Sequence, residues 1–288
     1  MNPLVSIIMP TYNARHTLPW AIASLYAQTY ENWEVIIVDD GSTDQTRQYL
    51  SSFTDSRIRC LINEQNLGRG KSRQRALEAA RGTYIALLDA DDWMFPDRIR
   101  YQVETLNSEP GIVLVSSGAA IVNLNEELIG VRGISSAPVI QVSKRIGPTP
   151  FVFATSMFRL NSATGHQFYE RYPLAEDSHF MMRLLLGKRF MMLPALGYAY
   201  REHSSASVPK MVLSHQCMAM IYLSHRREFP AVSFMLAAKS LLKAGLWRAV
   251  SWFGMETRII TNRSMPPTRE QEEEYRIAVQ TVSSYLRP

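Results

Sequence analysis

The segment IALLDADDWMFP, Ile85–Pro96, drives an apolar run straight into Asp89, Asp91 and Asp92 and then returns to aromatic and apolar residues. Carboxylates this close repel one another, and no Lys or Arg is interleaved with them. A cation must compensate them, or they must stay hydrated. The apolar half, Ile85–Leu88 with Tyr84 before it, has the length and continuity of a strand buried on both faces. Such a strand belongs to a sheet with helices on both sides, and ligands bind those sheets beyond the carboxyl ends of the strands.

The same alternation extends in both directions. Upstream, LVSIIMP is a short strand ending at Pro10, and a helix is expected from about His16 to Gln28, with Leu18, Ile22, Leu25 and Tyr26 at helical spacing. EVIIVDD is a second buried strand, closed by the turn residues Gly41–Asp44. A helix over Asp44–Phe53, the strand RIRCLI and a helix over Gly70–Arg81 follow. Downstream, Pro96 opens the helix PDRIRYQVETLN, proline being tolerated in a first turn, and IVLVSSGAAIV is another strand. The glycine- and proline-bearing stretch Gly130–Pro150 reads as a long loop, Phe151–Phe158 as strand-like, and AEDSHFMMRLLLGKRF as a helix headed by two carboxylates. From about Ser205 the character changes to Met- and Leu-rich helical segments with Lys and Arg between them, broken at Pro230 and Pro266–Pro267. The expected fold class is therefore α/β, a Rossmann-like, mostly parallel sheet covered on both faces, plus a C-terminal helical extension. The expected division is 1–205, with halves of about 1–110 and 111–205, followed by a helical region 206–288.

Bulk properties narrow the function classes. With 46% hydrophobic and 20% charged residues in 288, a sizeable core is expected. Two cysteines, Cys60 and Cys217, are too few for a disulfide framework or a structural zinc site and fit a reducing, cytoplasmic setting. The N-terminus lacks a basic signal-peptide region, and no run of about 18 apolar residues occurs. Against 26 acidic residues the 31 basic ones give only a mild excess, unlike the clustered charge of a nucleic-acid binder, so no nucleic acid is expected. An anionic small molecule or an anionic membrane surface suits that balance.

Three strand ends carry polar clusters: Pro10-Thr11-Tyr12-Asn13, Asp39-Asp40-Gly41-Ser42 and Asp89-Ala90-Asp91-Asp92. In the expected sheet all three lie on one rim. Taken singly, each is also ordinary turn and cap chemistry, but caps do not require doubled carboxylates. The Asp89/Asp91 pair suits Mg2+ or Mn2+, which take oxygen ligands from one or two carboxylates and from substrate phosphates. A metal carrying a diphosphate would account for the concentration of charge.

Six segments, PTYN, VDDGSTD, NLGRGKSRQRALEAARG, YIALLDADD, AEDSHFMMRLL and YREHSSAS, occur in the order and approximate spacing of a known family. The chain resembles the inverting family 2 glycosyltransferases with the GT-A nucleotide-sugar-binding fold, over about residues 4–207. The resemblance implies that Pro10, Thr11 and Tyr12 line the base pocket, with Tyr12 as a stacking face. It implies that Asp39 accepts a hydrogen bond from the base with Asp40 and Ser42 beside it, and that Arg73 sits near base or phosphates. Gln74 stands where the family more often has Asn. Asp89 would face ribose and donor sugar, with Ala90 between it and Asp91, the principal metal ligand. Asp177 would be the general base with Glu176 on the acceptor side, and His203 would reach the metal or diphosphate.

The chemistry of such a transfer matches this inventory. An in-line displacement at the anomeric carbon needs a carboxylate to take the acceptor proton and a cation to neutralise the leaving diphosphate. The expected partners are a nucleotide-diphospho-sugar, with UDP the expected nucleotide, and a saccharide or lipid-linked acceptor of cell-surface polysaccharide synthesis. Several simpler readings stand beside these. Asp177 could cap its helix, Arg69 and Lys71 could be surface charges at a helix entry, and Arg201 could pair with a carboxylate at the core edge. Alternative functions are a catalytically degenerate binding protein of the same fold, a sugar nucleotidyltransferase and a receiver module. The nucleotidyltransferase lacks support because PTYNARH stands where its Gly-rich phosphate loop belongs, and the receiver would not need the downstream motifs. Residues 230–260 mix Trp and Phe with Lys and Arg, as in a helix lying in an anionic membrane interface. The expectation gives precedence to packing on the catalytic domain or on a second subunit of a homo-oligomer, with a peripheral membrane role as the alternative.

Overall fold

A computed structural model describes residues 2–168, 172–202, 207–252 and 264–286. Strands β1 (Val5–Thr11), β2 (Trp33–Asp39), β3 (Ile58–Ile62) and β4 (Tyr84–Leu87) pair in parallel in the order β3-β2-β1-β4. Every residue of β1, β2 and β4 is buried, which is why they lack polar alternation. The period of two instead divides their side chains between two apolar layers. Val5, Ile7 and Met9 pack with Leu18, Ile22 and Leu25 of α1 (Leu18–Tyr26) and with Ile99, Val103 and Leu106 of α4 (Arg98–Ser108). On the other face, Ile8, Ile36 and Val38 meet Ala76 and Leu77 of α3 (Arg69–Ala79) and Phe180 and Leu184 of α5 (Glu176–Leu185). The short α2 (Thr46–Ser51) links β2 and β3.

Among the described residues the sheet has ten strands, and beyond β4 it becomes mixed. β9 (Ser156–Arg159) lies antiparallel between β4 and β6 (Ile112–Val122), and β6 pairs in parallel with the long β10 (Arg189–Arg201). β5 (Trp93–Met94) runs antiparallel to β10. The parallel arrangement read from the sequence thus holds for the first four strands and the β6–β10 pair.

Two expectations about the second half need correction. Gly130–Pro150 is not a continuous loop: β7 (Leu128–Arg132) forms a hairpin with β6, and β8 (Val139–Val142) pairs with the start of β10. All four residues of β8 are exposed, so it leaves no alternating pattern to read. The helix expected over AEDSHFMMRLLLGKRF ends at Leu185, and its Arg189 and Phe190 instead begin β10, whose sequence RFMMLPALGYAYR is interrupted by Pro194 and Gly197. Its register against β6 shifts between Met192 and Leu196 and again before Tyr198, and a bulge is where a strand tolerates a proline. Gly197 is needed there, since a Cβ would strike the hydroxyls of Tyr101 and Ser117.

The C-terminal helices grip the sheet domain at two places. α6 (Val208–Ser224) buries Cys217, Ile221 and Tyr222 with Tyr172, Ala175 and Met182, and α7 (Pro230–Trp252) packs on α6. α8 (Arg269–Ser283) starts at a capping box, in which Gln271 N–H donates to Thr268 Oγ1 and Thr268 N–H to Gln271 Oε1. Its Tyr275, Ala278 and Val282 pack with Trp93 and Phe95 behind the acidic loop. Among the described residues no helix is long and apolar enough to cross a membrane. The boundary expected near Ser205 and residues 253–260 of the basic aromatic stretch lie outside the described residues.

Candidate active site

The loops after β1, β2 and β4 meet on one rim, held there by local hydrogen bonds. Asn13 adopts a positive φ of 48°, which Asn tolerates better than most residues. Its Oδ1 accepts Thr43 N–H at 2.9 Å, and its own N–H donates to Ser42 Oγ at 3.0 Å. Asp40 is buried and organises the next loop, accepting N–H bonds from Leu67 and Gly68, each at 2.9 Å, and a bond from the Asn63 amide at 2.8 Å. Gly41, at φ 75°, lies so close to Gln65 that a Cβ would come within 2.6 Å of its carbonyl carbon.

These loops enclose a cavity of about 510 Å³. Pro10, Thr11, Tyr12, Asp89, Ala90 and Asp91 line it together, and the Tyr12 ring is 47% exposed. Asp39 and Ser42 do not reach the lining. Asp39 is fully buried, accepting Ser42 N–H at 3.2 Å and an ion pair from Arg47 Nε at 3.2 Å, while Ser42 ties the first two loops together. Asn66, Arg69, Ser72 and Tyr200 also line the cavity, and none of them was singled out from the sequence as a ligand.

The three carboxylates of the opening segment divide into two functions. Asp89, Asp91 and Asp92 offer oxygens all within 4.8 Å of one another. Asp89 and Asp91 open into the cavity, whereas Asp92 is buried and accepts Arg201 N–H at 2.8 Å. Burial, and then the charges of Asp91 and Asp89, push the Asp92 carboxyl well above the usual carboxylate range. The Tyr198 hydroxyl accepts Asp89 N–H at 3.0 Å. Arg201, itself buried, binds the Asp91 carbonyl and pairs with Glu126, the core-edge carboxylate anticipated for it. Glu126 further accepts Trp93 Nε1–H at 2.7 Å, and its carbonyl accepts the Tyr275 hydroxyl at 2.7 Å. The aromatic residues after the carboxylates are therefore the buttress of the loop. Trp93 stacks on Phe95 at 5.4 Å, with α8 behind them.

A buried ion-pair network joins this loop to the start of α5. Arg73, 1% exposed, donates to Asp89 Oδ1 at 2.6 Å and to Glu176 Oε1 at 2.9 Å, with its guanidinium 4.8 Å from the Phe153 ring centroid. Arg69, one turn earlier on α3, also reaches Glu176 Oε1, at 2.7 Å. Burial alone would raise the Glu176 carboxyl, but Arg69 and Arg73 outweigh it and hold the group below its ordinary range. The i, i+4 spacing of Arg69 and Arg73 was a legible sign that both could serve one anion. Glu176 borders a second cavity of about 260 Å³ with Arg69 and Tyr172. Asp177 is partly exposed beside it, accepting Ser178 N–H at 2.6 Å, and lies outside the lining of both cavities. Gln74, the departure from the family pattern, binds Glu78 at 2.8 Å and Phe168 N–H at 3.0 Å. His203 lies outside the described residues.

The donor set fits a hard divalent cation. Asp89 and Asp91 present only oxygen ligands, converge on solvent-accessible space, and leave room for water or phosphate ligands.

Residues 6–161 match the model of glycosyl transferase family 2. The chain is 32% identical over 260 residues to EpsE of Bacillus subtilis (strain 168), covering 86% of this chain and 92% of EpsE. Over 103 residues it is 46% identical to the Escherichia coli UDP-Glc:alpha-D-GlcNAc-diphosphoundecaprenol beta-1,3-glucosyltransferase WfgD, covering 36% of this chain and 41% of that protein. The fold resembles that of S. aureus TarS 1–349 in complex with UDP-GlcNAc at a TM-score of 0.63 and 20% identity, covering 98% and 81% of the two chains.

Proposed function

The chain belongs to glycosyltransferase family 2, and from that premise we propose that it is an inverting transferase acting in polysaccharide synthesis. It moves a sugar from a nucleotide-diphospho-sugar to a hydroxyl of a saccharide or lipid-linked saccharide acceptor. The observation that carries this reading is the cavity into which Asp89 and Asp91 open, joined through Arg73 to Glu176 at the start of α5. Donor-side Asp89 and acceptor-side Glu176 are thereby linked by one buried guanidinium, and a displacement of this kind uses separate acidic stations on its two sides. TarS in complex with UDP-GlcNAc and the name of WfgD favour a uridine donor and a diphosphate-linked acceptor.

In this mechanism the exposed Tyr12 ring offers a stacking face to the base. Asp91 and Asp89 would hold Mg2+ or Mn2+, with His203 as a further ligand. When bound, the metal supplies positive charge against the leaving diphosphate. The acceptor oxygen forms a bond to the anomeric carbon as the carbon–diphosphate bond breaks with its electron pair, and Asp177 takes the hydroxyl proton. Glu176 is the poorer base of the acidic pair, because two guanidinium groups hold it ionised and engaged. It anchors the acceptor side instead.

The test is calorimetric titration of the full chain with UDP, GDP, dTDP and ADP, each with and without Mn2+. One nucleoside diphosphate should bind only with metal, and Asp91→Ala should lose that dependence. Binding of none of the four would overturn the donor assignment and favour a degenerate scaffold.

A further inference from the structure

We propose that α7 docks the protein on an anionic lipid surface, through a face that the described residues leave uncovered. Along its 23 residues α7 buries Ser233, Ala237, Ala244 and Trp247, the face turned toward the body of the protein. The opposite face presents Phe234, Leu241, Leu242, Leu246 and Trp252, between 53% and 90% exposed. At 3.6 residues per turn these side chains share an arc of about 140°, the width of an amphipathic helix's apolar face. Lys239 and Lys243 are exposed along one border of that arc and Arg248 along the other. Apart from Trp247 the helix hides small residues and displays its large apolar ones, so much of its amphipathicity is turned outward. Cations at both borders of the apolar arc can reach lipid headgroups while their alkyl stems lie on the acyl boundary.

The charge balance selects lipid over a second copy of the chain. Residues 207–252 contain Lys210, Arg226, Arg227, Lys239, Lys243 and Arg248 against Glu228 alone, a net +5 equal to that of the whole chain. Neither α6 nor α7 carries an Asp or Glu. A symmetric contact of α7 with itself would bring like charges together with no carboxylate to offset them. An anionic headgroup layer supplies the missing charge. The mode is interfacial, since no described helix qualifies to cross a membrane. Docking of this kind stands apart from the transfer chemistry, because α7 contributes no residue to the cavities beside Asp89 and Glu176.

The experiment is flotation of the full chain with vesicles of phosphatidylcholine alone and of phosphatidylcholine with about one-third phosphatidylglycerol. The chain should float with the anionic vesicles, and salt should weaken the binding. Replacing Lys239, Lys243 and Arg248 together by alanine should lower partitioning on the order of a hundredfold. Leu242→Ser with Leu246→Ser should abolish flotation while leaving the far-ultraviolet circular dichroism unchanged. Brominated lipid should quench Trp252 fluorescence, a loss absent from the Trp252→Phe protein. A chain that ignores anionic vesicles, or variants that float like the original, would overturn the proposal. So would a dimer in sedimentation velocity that the leucine replacements dissolve, which would assign the face to a second copy.

Discussion

Arg73 is where the two halves of the site are joined, and Arg73→Met tests that joint directly. The substitution keeps much of the side-chain volume and removes bonds of 2.6 Å to Asp89 and 2.9 Å to Glu176. Removing one partner of a buried pair typically costs about 3–5 kcal/mol, because a charge is left unpaired in a poor solvent. Two features set the cost here toward the lower end of that range. Glu176 keeps Arg69 at 2.7 Å, and Asp89 is 22% exposed and can recruit water. The expected loss is about 3 kcal/mol in equilibrium urea unfolding. Adding Glu176→Met removes the buried acid that Arg73→Met leaves with Arg69 alone, so the double variant should recover about 2 kcal/mol, a coupling typical of contacting groups. Arg73→Lys should remain well below the original protein, since an ammonium cannot reproduce the two-armed geometry. A single-variant cost below about 1 kcal/mol, or strict additivity in the cycle, would refute a buried electrostatic link between the two acidic stations.

Three further outcomes are expected. Asp177→Asn should retain nucleotide binding while transfer falls by about 10²–10⁴-fold, measured as sugar released to acceptor; normal turnover would remove Asp177 as the base. Tyr275→Phe deletes the bond from α8 to the Glu126 carbonyl and should cost about 1 kcal/mol in urea unfolding, with looser protection of the Trp93 amide in hydrogen exchange. Burial pushes the Glu274 carboxyl up from an ordinary 4.5 to about 7, against a Leu196 N–H that favours the ionised form. The folded chain therefore holds that proton more tightly than the unfolded chain, so stability falls as pH rises from about 4.5 to about 7 and stays lower above it. Glu274→Gln should flatten this slope and gain on the order of 1 kcal/mol at pH 8, after allowance for partial exposure; an unchanged pH profile would refute it.

The first half of the fold was legible because its information is local. Continuous apolar strands, helical spacing in α1, α3 and α4, and polar clusters at strand ends lie within a few residues of the elements they define. The second half resisted reading where local signals conflict with the final structure. β8 is exposed along its length, and β10 carries a proline and a glycine at its register shifts. The family resemblance implies a ligand role for Asp39 at the end of β2, yet Arg47 and Ser42 N–H engage it inside the protein.

The sequence by itself determined that three loops, two of them bearing carboxylates, would share one rim, because parallel strands end on the same side and each motif is continuous in the chain. Only the tertiary structure decided which acid does what. Asp92 turns inward because β10, 109 residues away in sequence, offers it a backbone N–H. Asp89 is tied to Glu176 because Arg73 bridges to α5 across a separation of 103 residues. The acidic loop is held from behind by Tyr275, 149 residues beyond the carbonyl of Glu126 that it binds. A carboxylate's ionisation and reach depend on its burial and its counter-charges, and those are set by which distant segments come to lie against it.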